Sequence, residues 1–420
     1  MKDDIDRILI IGGYGRAGKS ISRLLASYDQ YEIITAGRTL AKAQKQTEHL
    51  QNEFPGGVFK AMEVDINNRK KLTDIIREVQ LVIVAVPLDY QNSLSLIDAV
   101  LNSKNAHHID LSPGKEKHLA FNEMKEAIEE WEHLFLLDAG FEPGLPGFMA
   151  RWALCELDKP EKLLIEGVYH DPEIPDGGIK DIIGHNEPAY IVKNGTLKKA
   201  CPFKMKIAEF PQGFGKAISV PIWMPELQSI PSKYNLKNMA YYHAGINGLA
   251  NIIMLSWQMI FNKFLPMNVG VSLFRWAIQN FTKKPYGGVI RVTAENSHLK
   301  REITNSHNEL YEATAIPVVT TARLILKNEP DQFGFFFMGE WVPKNDFLHN
   351  LQALGMKVSV KNEAVEGLFN DYKHHLNALD EDIRWLALKY AEEFYVHDKC
   401  TKAEAIDRAI AKAEMEKRNL

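Results

Sequence analysis

The chain is poor in cysteine, with three in 420 residues (Cys155, Cys201 and Cys400), far apart and without a C-x-x-C pair. Such spacing excludes a disulfide framework and a structural zinc ribbon, and it fits a reducing compartment, so a cytoplasmic location is expected. An excess of one charge is also missing. The formal net charge of −4 argues against a broad nucleic-acid-binding face, and no nucleic acid is expected as a partner. Long hydrophobic runs are absent too. The richest stretch, Ile246 to Phe261, is broken by Asn247, Asn251, Ser256 and Gln258, and Pro266 follows. It falls short of the roughly 20 residues of a membrane span, so a buried or interface helix is expected there. Membrane contact is not expected, monotopic contact being the alternative. The N-terminus, Met1-Lys-Asp-Asp-Ile-Asp6, is too acidic and polar for a signal peptide. No metal is expected either, because His185-Asn-Glu187 has no third ligand at a recognisable spacing.

What is present is an ordinary globular composition, 45% hydrophobic and 25% charged, over a length that calls for two or three domains. The most informative stretch is Arg7 to Gly18. Ile8 to Ile11 is a continuous apolar run, as in a strand buried on both faces of a parallel sheet. Gly13, Gly15 and Gly18 then fit G-x-G-x-x-G. In that pattern Gly13 makes the tight turn, Gly15 lets the backbone approach a pyrophosphate, and Gly18 lets helix and strand pack closely. Lys19 to Ala26 continues with helical spacing. The amides of Gly13, Tyr14, Gly15, Arg16, Ala17 and Gly18 are therefore expected around a dinucleotide, at the positive end of a helix.

The next strand, Tyr31 to Ala36, ends in Gly37-Arg38-Thr39, with Lys42 one turn into the following helix. An NAD site carries a carboxylate here for the ribose 2′-hydroxyl, and an NADP site carries a cation for the 2′-phosphate. Arg38, Thr39 and Lys42 offer a planar fork, a hydroxyl and a point charge, so NADP is expected in preference to NAD. Further strands are expected at Val58 to Val64, Leu81 to Pro87, His107 to Ser112 and Leu134 to Asp138. The residues that follow them mark the cofactor cleft. Asp65 and Ile66 would lie beside the adenine, with Asp65 equally an N-cap, and Ala85, Val86 and Pro87 beside the nicotinamide ribose. His108 or Asp110 would point into the cleft or, for the histidine, sit as a satisfied core group. A charged helix is expected over Phe121 to His133.

The strand ending at Asp138 runs into Gly140-Phe-Glu-Pro-Gly144, a sharp exit from the sheet. The glycine motif, the Gly37-Arg38-Thr39 strand end and this exit loop together resemble the saccharopine dehydrogenase / saccharopine reductase-like family of NADP-binding oxidoreductases. Thr314-Ala-Ile-Pro317, the helix over Ala322 to Lys327, Gly334 followed by Trp341-Val-Pro343, and Leu351-Gln-Ala-Leu-Gly355 are similar in order to that family's later half. The resemblance spans roughly residues 5–360. It implies an α/β protein, with a doubly wound parallel-sheet Rossmann domain over 1–140 and an α+β substrate or dimerisation domain over 141–345. A helical tail over 346–420 would pack back on the first domain or form a dimer interface. It further implies hydride transfer to or from a small molecule, at a C–N bond of an amino-acid adduct, in a cleft between the domains. Glu142 and Pro146 depart from the family's usual Gly-x-Asp-Pro-Gly loop.

In the second domain, Lys162 to Tyr169, Phe203 to Phe210, Ile218 to Pro221 and Gly288 to Ala294 read as strands, and Asn194-Gly195 as a hairpin turn. Candidate catalytic groups are Glu142, Asp138, His185 (with Glu187 and Tyr190) and His243 (with Tyr241 and Tyr242), as acids or bases near a reacting bond. Each has a structural alternative, for instance a carboxylate that stabilises the exit loop. Lys283-Lys284 reads as a solvated basic turn, with pairing to a substrate carboxylate as the alternative. Residues 361–420 read as helical, with a capping box at Thr401-Lys-Ala-Glu404. A protein that binds NADP(H) without turnover, as a sensor or interaction partner, is the competing functional class, and a reductase of lipid substrates using the apolar 246–281 region is a minor third.

Overall fold

The computed structural model describes residues 5–184, 188–201, 204–297, 299–327, 330–364, 369–398 and 400–418. Six parallel strands come first: β1 (Asp6–Ile11), β2 (Tyr31–Gly37), β3 (Val58–Glu63), β4 (Leu81–Val84), β5 (His107–Asp110) and β6 (Leu134–Leu137). The apolar run of β1 forms because both sheet faces are covered. Ile8 and Ile10 enter one core cluster, while Leu9 and Ile11 enter the other. β1 lies between β2 and β4, so the direction of winding reverses there. In doubly wound sheets the ligand crevice opens at the carboxyl ends of such a strand pair.

The second sheet contains β7 (Lys162–His170), β8 (Tyr190–Lys193), β9 (Thr196–Lys199), β10 (Lys206–Phe210), β11 (Gly215–Ile222), β12 (Asn238–His243), β13 (Gly287–Glu295) and β14 (Leu299–His307). Its main order is β10-β11-β12-β7-β13-β14, antiparallel except for β12 beside β7. Asn194 and Gly195 take φ of 51° and 74°, as a tight hairpin between β8 and β9 requires. The expected start of β10 at Phe203 lies outside the described residues.

Two features follow from packing and not from pattern. β15 (Gly334–Phe337) lies inside the span assigned to the second domain but pairs with β6, closing the edge of the first sheet. Helices Leu145–Cys155 and Leu310–Lys327 lie between the sheets, and one apolar core runs unbroken from Ile8 and Ile10 to Ile165, Tyr241 and Ile290. The two sheets are thus joined by a shared interior.

The tail is not helical throughout. After helix Lys344–Ala353, residues Lys357–Ala364 form β16, antiparallel to β14. Helices Glu381–His397 and Lys402–Arg418 follow as a hairpin, with the capping box formed between Thr401 and Glu404. The pair docks on the second sheet, where the Arg301 guanidinium lies between the rings of Trp152 and Trp385, 5.7 and 5.2 Å from their centroids. The helix expected over 121–133 is two short helices, Lys115–Glu123 and Lys125–Glu129. It starts earlier, and Lys117 in it reaches down to β5 and β6. The apolar stretch after β12 forms helix Gly248–Met259, but only Ala250 and Trp257 in it are buried, so it is not a core helix. Among the described residues no helix is long and apolar enough to cross a membrane.

Candidate active site

The glycine loop folds as the motif predicts, with one shift. The left-handed position is Gly12, at φ 84°, and not Gly13. Gly13 is required by packing, since a Cβ there would sit 2.9 Å from Thr35 Cγ2 and 3.0 Å from the Ile10 carbonyl. A Cβ on Gly18 would run into the Gly12 carbonyl, which fixes the close approach of helix and strand. Gly15 caps helix Arg16–Ala26 without a side-chain bond, and no acid lies in the first turn. The first amides of that helix have no intrahelical acceptor, which leaves a cradle of donors suited to a diphosphate.

At the end of β2, the ring of Tyr14 covers Gly37, and its hydroxyl accepts a hydrogen bond from the Thr39 amide at 3.2 Å. Arg38, Thr39 and Lys42 are exposed around this point. Asp65 Oδ1 accepts from the backbone and side-chain nitrogens of Asn67, both at 3.0 Å, and those bonds hold its carboxyl below the usual range, with Arg38 adding a smaller pull. The N-cap of the next helix is Asn68, so Asp65 shapes the turn before it. Ile66 is buried beneath this turn. Ala85, Val86 and Pro87 leave β4 against the glycine loop, close enough that a Cβ on Gly12 would touch Val86 Cγ1.

Asp138 is not an open cleft group. It is fully buried at the end of β6, at φ 55°, and its Oδ1 takes a hydrogen bond from Lys117 Nζ at 2.7 Å. The same ammonium binds Asp110 at the end of β5, and His118 Nε2 lies 3.2 Å from Asp138 Oδ2. Burial would lower the Lys117 pKa, but the two carboxylates outweigh it and raise it. Burial would raise Asp138, but Lys117 and then His118 hold it low. The cluster ties β5 to β6 where the exit loop begins. His108 does not face the cleft either: it is packed against Phe121 and Phe135, and burial drives its pKa down to about 3.

Glu142 and His243 do meet. Glu142 Oε1 accepts the Tyr241 hydroxyl at 2.5 Å, and Oε2 lies 3.1 Å from His243 Nε2. His243 Nδ1 accepts the Gly245 amide at 2.8 Å, so a neutral ring carries its proton on Nε2, facing the carboxylate. The ring of Tyr169 lies 4.8 Å from the imidazole. Burial, and then the Glu142 charge, raise the pKa values of Tyr169 and Tyr241, so both keep their protons. Gly167 of β7 makes room for the group, because a Cβ there would stand 2.8 Å from His243 Cδ2 and 3.2 Å from the Tyr241 hydroxyl. Carboxylate and imidazole thus come from different sheets, Glu142 from the exit loop and His243 from β12. His185 lies outside the described residues, and Lys283 and Lys284 are exposed at the surface.

Three residues of the site escaped the sequence pattern. Glu226, fully buried, accepts the amides of Gly144 and Gly147 at 2.9 and 3.2 Å, and burial pushes its carboxyl up to about 8. Arg151 donates to the Glu226 carbonyl at 2.9 Å and binds Glu340. Asp171 receives Arg16, at 3.0 Å, while Arg16 also donates to the Glu173 carbonyl and stacks on Tyr311. The Arg16 side chain therefore clasps the glycine loop to the second sheet, while its amide stays at the head of the helix. Among the described residues no group of histidine, cysteine or carboxylate side chains could hold a metal ion.

A doubly wound sheet with an amide cradle, a cationic β2 end and a second sheet over its carboxyl edge defines a nucleotide-binding fold of the Rossmann type. Residues 8–132 match the family described as saccharopine dehydrogenase NADP binding domain. Over 86% of this chain and 100% of the other, the fold matches apo saccharopine dehydrogenase (L-Glu forming) from Saccharomyces cerevisiae, with a TM-score of 0.62 and 13% identity. An oxidoreductase from Sinorhizobium meliloti aligns over 84% of this chain and 96% of its own, with a TM-score of 0.40 and 11% identity. A metagenomic short-chain oxidoreductase in complex with NADP aligns over 33% of this chain and 82% of its own, with a TM-score of 0.27 and 11% identity. No curated protein matches the chain. The chain is thus saccharopine dehydrogenase-like in its nucleotide-binding domain and in its fold, and the cofactor of that domain is NADP.

Proposed function

We propose that the protein is an NADP-dependent oxidoreductase that transfers hydride between the nicotinamide and a small substrate with a C–N bond of the amino-acid-adduct type. The observation that carries this reading is the Glu142–His243–Tyr241 group, joined across the two sheets beyond the carboxyl edge of the first. Arg16, Ala17 and Gly18 would present amides to the diphosphate, and Arg38, Thr39 and Lys42 would receive the 2′-phosphate. NADPH, when bound, supplies the hydride. In the reducing direction the hydride adds to the carbon of a C=N group, the π electrons move to nitrogen, and nitrogen takes a proton. The proton would reach nitrogen from water by way of the Glu142 carboxyl, which the His243 Nε2–H and the Tyr241 hydroxyl orient. Tyr169 and Tyr241 stay protonated and serve as donors.

Glu142→Gln tests this. NADPH oxidation, followed with imines formed between amino acids and oxo acids, should fall by about 10²-fold or more in kcat while NADPH affinity holds. Wild-type protein that binds NADPH tightly and oxidises it with no imine or carbonyl would instead support the sensor reading.

A further inference from the structure

Helices Gly248–Met259 and Met267–Phe281 pack on each other and on helix Asp176–Gly184 around Trp257, Phe274 and Ile278. Their outer sides are uncovered. The connecting turn, residues 259–268, is exposed at every position. It presents Met259, Ile260, Phe261, Phe264, Leu265 and Met267, with Phe264 78% accessible. Trp276 and Phe281 extend the surface from the second helix, edge to face at 5.3 Å. A contiguous apolar patch of this kind marks a contact with another body.

Charge decides which body. No Asp or Glu occurs between Glu226 and Glu295, while lysine and arginine recur. Arg275 is paired with Asp176 from the neighbouring helix. Lys263, within the exposed turn, and Lys283 and Lys284, after the second helix, are exposed and make no ion pair among the described residues. In a two-fold contact the patch would face itself, and these ammonium groups would meet their own copies with no carboxylate from the segment between them. An anionic bilayer supplies both complements: acyl chains for the aromatic and aliphatic side chains, and phosphates for the lysines. We propose that this helical pair docks on anionic phospholipid bilayers, lying in the interface with the 259–268 turn inserted. The sequence favoured a buried or interface helix because its polar residues break the run. The fold turns the apolar side outward instead. The proposal does not depend on the redox chemistry.

The test is co-sedimentation of the full chain with phosphatidylcholine vesicles, with and without phosphatidylglycerol. Binding to the phosphatidylglycerol vesicles should weaken with salt and drop about tenfold or more in a Phe264→Asp/Leu265→Asp variant. Both side chains are exposed, so circular dichroism of the variant should match the wild type. As a second reporter, Phe264→Trp should shift its emission to the blue on those vesicles. Absence of sedimentation with either vesicle, or sedimentation that the double variant leaves unchanged, overturns the proposal. So does a dimer in light scattering that the double variant abolishes, since a second copy would then cover the patch.

Discussion

Replacing Lys117 by methionine isolates the one buried cation that ties β5 to β6. The side chain is about as long, so the change is mostly one of charge. It strands Asp110 and Asp138, 1% and 0% accessible, without the ammonium that both contact. Removing one partner from a buried ion cluster costs roughly 3–5 kcal/mol. At about 1 °C per kcal/mol for a cooperative unit of this length, the thermal midpoint should fall by roughly 3–6 °C. The pH dependence fixes the cause. In the wild type, Asp138 titrates below its unfolded value of 3.8, so its contribution is present above that pH and is lost as pH falls through the folded value, while burial holds Asp110 above its unfolded value even beside Lys117. In the variant, buried carboxyls without a cation titrate above their unfolded values. Their folded forms hold protons more tightly, so the variant's stability is greatest in acid and is lost as pH rises. The deficit should be largest near neutral pH and should shrink toward pH about 4. Lys117→Met with Asp110→Asn and Asp138→Asn should recover part of the loss at neutral pH. Melting curves across this range decide the matter: a deficit under about 1 kcal/mol at neutral pH, or one that is flat with pH, refutes the reasoning.

Other consequences are as direct. Arg38→Asp should weaken NADP binding by roughly tenfold to hundredfold, the worth of one charge-assisted contact, and leave NAD nearly unchanged. Equal loss for both in calorimetry removes Arg38 from the 2′-phosphate site. Gly167→Ala should cost about 1–3 kcal/mol in a melt and depress turnover with it, because the new methyl displaces His243 and Tyr241. An alanine variant as active and as stable as wild type would show that this packing is loose. Arg16→Ala should raise the substrate KM more than the NADPH Kd, since its side chain reaches Asp171, Glu173 and Tyr311 in the second domain. A change confined to NADPH affinity would return the side chain to the cofactor.

The first half of the molecule could be read from its sequence because its determinants are local. An apolar run, three glycines at fixed offsets and the absence of a carboxylate after β2 each act within a few residues of the backbone they shape. The hairpin at Asn194-Gly195 and the capping box at Thr401 were legible for the same reason. Other features depend on pairings that no local pattern encodes. β15 joins the first sheet nearly 200 residues after β6 (134 to 334), and Gly334 meets Leu134 only because the edge of that sheet would otherwise be unpaired. Asp138 looked like a cleft acid, yet it became a buried structural group once Lys117 reached it from helix Lys115–Glu123. Glu142 and His243 are 101 positions apart, and only the packing of the exit loop on the second sheet brings them to 3.1 Å. The residues fix which chemistry is available, since charge and turn propensity are properties of single positions. The tertiary fold decides which of those groups face each other, because burial and separation are properties of the assembled chain.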